Sequence, residues 1–138
     1  MQVLIGVAPS GACMFVSDVY EGSISDRELV KQSNFAENLT LGDVVLGDRG
    51  FTIHDICATK GATLVIPPFL DRREKFTKEE LLKTKLIAKS RIHVERFIER
   101  MKKFKIISGI IPLTLTPLLS QIVFVTCCLV NFQEPLVK

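Results

Sequence analysis

Asp48 stands directly after a short oily run, Val44-Val45-Leu46, in the stretch DVVLGDRGFTIHD from Asp43 to Asp55. Three apolar residues in a row, two of them β-branched, read as a buried strand. A carboxylate placed just past such a strand is either a turn residue or a reagent. Gly47, Arg49 and Gly50 make a tight exposed exit there, from which the carboxylate can reach a ligand. Glu95 is the sharpest partner for it. Around SRIHVERFIERMKKF the apolar residues Ile87, Val94, Ile98 and Met101 recur at helical spacing, and Glu95 lies beside that stripe. It is read either as a boundary residue turned toward a sheet edge, or as one half of an i,i+4 surface ion pair with Arg91. The second reading is worth only about 0.2–0.5 kcal/mol.

Other chemistry-bearing residues point less sharply. The cysteines are Cys13, Cys57, Cys127 and Cys128, with no C-x-x-C pair among them and two adjacent in an apolar run. They read as buried free thiols in a reducing compartment, with neither a disulfide frame nor a zinc site expected. His93-Val94-Glu95 has the H-x-E spacing of zinc deaminases, but the P-C-x-x-C that must accompany it is not in the sequence.

Charge narrows the partner. The chain of 138 residues carries a net charge of only +3. From Lys83 to Lys105, however, nine Lys and Arg stand against two Glu. A basic block in a nearly neutral chain meets a polyanion, or else is a solvated helix face. Hydrophobic residues make up 47% of the chain, which excludes a disordered protein. The stretch from Ile106 to Phe132 is uncharged and long enough to span a bilayer. Pro112, Pro117, Ser120 and Gln121 interrupt it, so a core helix covered on all faces is the better reading. A membrane is not an expected partner. No basic n-region and cleavage site of a secretory signal opens the sequence.

These residues need elements to position them. Val3 to Val7 and Ala12 to Val16 flank APSG and predict a hairpin, with Pro9 and Gly11 in its turn. Ser25 and Glu28 have capping-box spacing and start a short helix. Gly42 leads into the strand Val44 to Leu46. FTIHDICATKG reads as a helix stopped by Gly61, and ATLVIPP as a strand ending at Pro67-Pro68. After a polar loop, FLDRREKF, Thr77 caps a long basic helix with Glu80 three residues on; it runs to about Lys103 with room for a break midway. The apolar helix closes the chain. The order β-hairpin, α, β, α, β, α, α predicts an α/β fold with a mixed sheet, and one domain over residues 1–138. The strands at 44–46 and 62–66 are expected to be adjacent, central and parallel. Chemistry in such folds gathers at the carboxyl ends of strands, where Asp48 sits.

The stretches VAPSGACMFVSDVYEGSISDRELV, GDVVLGDRGFTIHDI, LVIPPFL and RIHVERFIERMKKFKIISGIIPLTLTPLLSQI together resemble the DDE superfamily endonuclease domain. This is the catalytic domain of Harbinger-type transposases and of nuclease-like proteins derived from them. The likeness covers nearly the whole chain, and GDRGF followed by RIHVER is its specific part. The resemblance implies an RNase H-like fold, a mixed sheet flanked by helices, and metal-dependent cleavage of DNA phosphodiesters. It implies that Asp48 is the second catalytic Asp and Glu95 the final Glu, both as ligands of Mg²⁺ or Mn²⁺. Hard, oxygen-seeking cations suit such carboxylates, and paired ions stabilise both the attacking and the leaving oxygen. DNA phosphates would meet Arg91, Arg96, Arg100, Lys102 and Lys103 on the basic helix.

The family pattern has a first Asp, on a strand upstream of the hairpin. Neither Asp18 nor Asp26 matches that position, although GSISD resembles a family segment after the third strand. A partial domain truncated at its first strand is therefore expected, probing DNA with an incomplete metal site and inactive as this chain alone. The alternatives are a catalytically inactive DNA- or protein-binding remnant and a small membrane-anchored protein. A separate DNA-binding protein is a further expected partner, since the family's upstream DNA-binding helices are not matched, and the nucleus is the expected location.

Overall fold

The computed structural model describes residues 1–67 and 75–135, and most of the expected polar loop lies outside these residues. The chain forms two compact units. One comprises Met1–Ile24 and Ile92–Lys138, the other Ser25–Arg91. The architecture is mixed α/β with small sheets and several helices.

In the first unit, β1 (Ile5–Val7) and β2 (Cys13–Val16) pair antiparallel. The turn is closed by Ala8 N–H to the Ala12 carbonyl and by Gly11 N–H to the Ala8 carbonyl, each at 2.8 Å. Gly11 takes φ +89°, a backbone state that side chains disfavour, which is why a glycine stands there. A bridge between Gln2 and Tyr20 extends the hairpin at its open end. The helix α5 (Leu119–Asn131), entered through a 3₁₀ segment Leu113–Leu118, packs on β2. Phe97, Met101, Cys127 and Val130 are the buried centre of this unit, with Ile5, Val7, Cys13, Val16, Phe104 and Val123 packed around them. Side chains of α5 also tie the hairpin by hydrogen bonds. Ser120 Oγ accepts from Val19 N–H at 3.0 Å, and Asn131 brackets the backbone of Cys13, accepting from its N–H at 2.9 Å and donating to its carbonyl at 3.0 Å.

In the second unit, α1 (Asp26–Gln32) starts as the capping-box spacing predicts: Ser25 Oγ accepts from Glu28 N–H at 3.1 Å. β3 (Val44–Leu46) and β4 (Thr63–Val65) are adjacent and parallel, paired Val44 with Thr63, Val45 with Leu64 and Leu46 with Val65. Between them lies α2 (His54–Ala58), which ends as expected at Gly61. Ala62 N–H reaches the Cys57 carbonyl and Gly61 N–H the Ala58 carbonyl, both at 3.0 Å, with Gly61 at φ +71°. Leu29, Val30, Ile53, Cys57, Leu64 and Ile87 are buried.

The long helix α3 (Lys78–Lys102) runs unbroken, where a midway break was allowed for. Thr77 Oγ1 caps it by accepting from Glu80 N–H at 3.2 Å. Its last turn leads to a short helix α4 (Lys105–Ser108).

Four expectations are corrected. A single mixed sheet does not form among the described residues; the strands pair as two separate two-stranded sheets, so β3 and β4 are not central. Alternation of strand and helix along a sequence does not say which strands share a ladder. Val44 was expected to be buried and is 61% exposed, because a strand in a two-stranded sheet has one face and one edge without cover. The helix α5 was expected to be covered all round. Its stripe Leu119, Thr126, Cys127 and Val130 is buried, while Phe124, Val125 and Leu129 are exposed. The helical stretch Leu113–Asn131 is long and apolar enough to cross a membrane, with 28% of its most apolar window buried. Finally, Cys57 and Cys127 are buried but Cys13 and Cys128 only partly so.

Candidate functional site

Asp48 is both a turn residue and a side chain with a partner. Its carbonyl accepts from Phe51 N–H at 2.9 Å, closing a four-residue turn through Arg49 and Gly50. Aspartate is favoured at the first position of such turns. The ladder continues to the edge of this turn, where Gly47 N–H reaches the Val65 carbonyl at 3.0 Å. A side chain at Gly47 would press on Phe51, its Cβ only 3.2 Å from the Phe51 Cβ, so the glycine lets Phe51 fold back on the strand end. The carboxylate of Asp48 is thereby held at the carboxyl end of β3, exposed, as the strand pattern predicted.

Its partner is Arg91. The guanidinium stands 3.7 Å from Asp48 Oδ2, with the two side chains 59% and 63% exposed. A pair this open is worth about 0–1 kcal/mol and weakens with salt. Arg91 was anticipated as a partner of Glu95 or of phosphate; that it reaches Asp48 was not.

A second carboxylate lies by the same turn. Asp26, the first residue of α1, has its Oδ2 3.9 Å from where a Cβ on Gly50 would stand. The turn is anchored further along by Arg27, which donates through Nη1 to Asp55 Oδ1 at 2.7 Å and through Nη2 to Oδ2 at 2.5 Å, and through Nη1 to the Thr52 carbonyl at 3.1 Å. The Arg27 hydrogen bonds hold the Asp55 carboxyl far below the usual carboxylate range. The clamp ties α1 to the start of α2 across 28 residues, and no local periodicity in the sequence announces it.

Glu95, Arg96, Arg100 and Lys102 belong to the other unit, on the second half of α3, and Lys103 follows directly after the helix. Glu95 is exposed, and so are Arg96, Lys102 and Lys103. Arg100 is half-buried and donates to the Glu134 carbonyl at 2.6 Å, so part of its donor capacity is committed within the chain. The buried residues of the helix are Ile87, Phe97 and Met101, with Val94 and Ile98 partly buried. Phe97 was missed in the sequence reading, although it falls at the spacing of the stripe, three residues past Val94.

A divalent metal would need a cluster of converging ligands. Among the described residues, no group of three or more His, Cys, Asp or Glu gathers closely enough to hold one. The described residues therefore do not make up a complete metal centre. What the site around Asp48 offers chemically is an exposed carboxylate on a hydrogen-bonded turn, countered by an arginine.

A strand-end Asp in GDRGF is followed along the chain by a basic helix carrying RIHVER. The family model described as DDE superfamily endonuclease matches residues 1–131, and the chain belongs to that family. No curated protein and no solved structure matches it.

Proposed function

We propose that this chain is a transposase-derived DDE nuclease domain that binds DNA through the basic half of α3, contributes Asp48 and Glu95 to a metal-dependent cleavage centre, and does not cleave efficiently by itself. The observation that carries the reading is the family match over residues 1–131. The RNase H-like fold belongs to the same proposal, and the antiparallel hairpin and the parallel β-α-β pair support it. Asp48 lies at a strand end, where a ligand-binding carboxylate belongs in α/β architecture. Mg²⁺ or Mn²⁺ is the cation that two carboxylates would hold, weakly, since a third ligand is not matched. Action on chromosomal DNA makes the nucleus its location, and a separate DNA-binding protein would supply target choice.

A catalytically silent DNA-binding role is the second reading. The Arg91 guanidinium beside Asp48 favours it, since it supplies to the carboxylate the positive charge that a metal would otherwise bring.

Both are tested together. Purified chain is assayed for band shift and for nicking of supercoiled DNA with Mg²⁺ or Mn²⁺, alone and joined to an upstream strand carrying an Asp. The nuclease reading expects binding by the chain alone, cleavage only by the extended protein, and loss of that cleavage in Asp48→Ala and Glu95→Ala. Binding with no cleavage by the extended protein supports the silent role. Cleavage that survives both substitutions removes Asp48 and Glu95 from the site.

A further inference from the structure

The first unit contains a pair of thiols that the DNA reading does not use. Cys13 on β2 and Cys127 on α5 are separated by most of the sequence, yet line one cleft of about 240 Å³ with Phe15, Phe124, Cys128 and Asn131. Their approach is imposed by the backbone. Asn131 holds the main chain of Cys13 by two hydrogen bonds, and Cys127 lies one helical turn before Asn131 on the same face of α5. The clamp therefore sets Cys127 directly against Cys13. Cys127 is buried, and its thiol donates to the Met101 sulfur at 3.8 Å. Cys13 is only half-buried and faces the cleft. Cys128, one residue on, stands about 100° further round the helix, at another part of the same cleft.

We propose that Cys13 and Cys127 are a redox-modification site, which closes to an intramolecular disulfide when the chain meets a peroxide. Cys13 is the residue attacked first. The neighbouring Cys127 thiol pulls the Cys13 thiol below its ordinary value, while Cys13, and then burial, push Cys127 up. The thiolate is the nucleophile, so the half-exposed Cys13 meets the oxidant and the buried Cys127 resolves. Cys13 thiolate attacks one oxygen of hydrogen peroxide; the O–O bond breaks and hydroxide leaves, taking up a proton to become water. The Cys127 sulfur then attacks the Cys13 sulfenic acid. The S–S bond forms, the S–O bond breaks, and the departing hydroxide leaves as water with the Cys127 proton. Two thiols lose two electrons and one peroxide becomes two waters. In a reducing compartment the pair rests as dithiol, and glutathione-class thiols reopen it. The closed bond fastens the hairpin to α5 across the first unit, and it is independent of the nuclease reading.

The test is direct mapping on the full wild-type chain. After brief hydrogen peroxide treatment and alkylation, non-reducing digestion and mass spectrometry should show one cross-linked pair, Cys13 with Cys127, about 2 Da below the sum of its reduced peptides. Dithiothreitol should remove it. Cys57 and Cys128 should stay alkylatable, and Cys128→Ser should leave the cross-link unchanged. In Cys13→Ser, loss of the Cys127 thiol at the same peroxide dose should disappear. A cross-link from Cys13 to Cys128, one found only between two chains, or oxidation of Cys13 to sulfinic acid with no cross-link would each overturn the proposal.

Discussion

At the level of single residues, Asp55 carries the clearest electrostatic consequence. Arg27 grips its carboxylate with both guanidinium nitrogens, and the carboxyl is held far below its ordinary pKa. A folded pKa depressed in this way contributes stability that is fully present above the unfolded value of about 3.9. It is lost as pH falls from there toward the folded value. Urea melts of the wild type should therefore drop more between pH 5 and pH 3 than those of Asp55→Asn. Because the two side chains are 40% and 64% exposed, the difference should shrink in high salt. Gly61 makes a different prediction. It sits at φ +71° with its N–H and its neighbour's closing the end of α2, and a Cβ would fall 2.4 Å from the Leu41 side chain. Leu41 is exposed and can swing aside, so backbone strain decides the sign. Gly61→Ala should cost about 1–2 kcal/mol in denaturant melts, with little change in slope.

Elements decide which of these residues matter together. The helix α3 buries Phe97 and Met101 against α5 and the hairpin in the first unit. Phe97 is among the largest fully buried side chains, so Phe97→Ala should cost about 3–5 kcal/mol in an unfolding titration. Ser25→Ala should cost only about 1 kcal/mol, the usual worth of a side-chain cap at a helix start. A larger loss at Ser25 than at Phe97 would mean that the second unit, and not the hairpin core, limits stability. The apolar face of α5 is a further element-scale fact. A helix uncharged from end to end meets the hairpin with one stripe only, and Phe124 and Val125 remain in the open.

For the whole molecule, charge distribution is the property that experiment reads. Net charge is small, yet the second half of α3 and the segment after it carry Arg96, Arg100, Lys102, Lys103 and Lys105. Binding to duplex DNA should be insensitive to sequence, and log K should fall linearly with log salt, losing about one unit of slope for each phosphate contact removed. Reversing Arg96, Lys102 and Lys103 to Glu should flatten that slope and weaken binding on every duplex tested. Reversal at Arg100 is a poorer probe, because that side chain also holds the Glu134 carbonyl. A band shift indifferent to the triple reversal would place the DNA surface elsewhere.

The sequence by itself determined the local elements, because their signals are local. Ser25 and Glu28, Thr77 and Glu80, and Gly61 mark helix ends through hydrogen bonds spanning three to five residues, and each acts as its type predicts. The hairpin turn at Gly11 follows from the same kind of reading, and the parallel pairing of 44–46 with 63–65 was expected from two short apolar runs joined by one helix. The family was also readable, since GDRGF and RIHVER keep their identity and order without any knowledge of contacts. Only tertiary structure decided the rest. It divided the strands between two sheets, uncovered one side of α5, turned Arg91 toward Asp48, joined Arg27 to Asp55, and set Cys127 against Cys13. Each of these depends on which face of an element finds a partner far along the chain, and apolar periodicity reports that a face wants cover without naming what covers it.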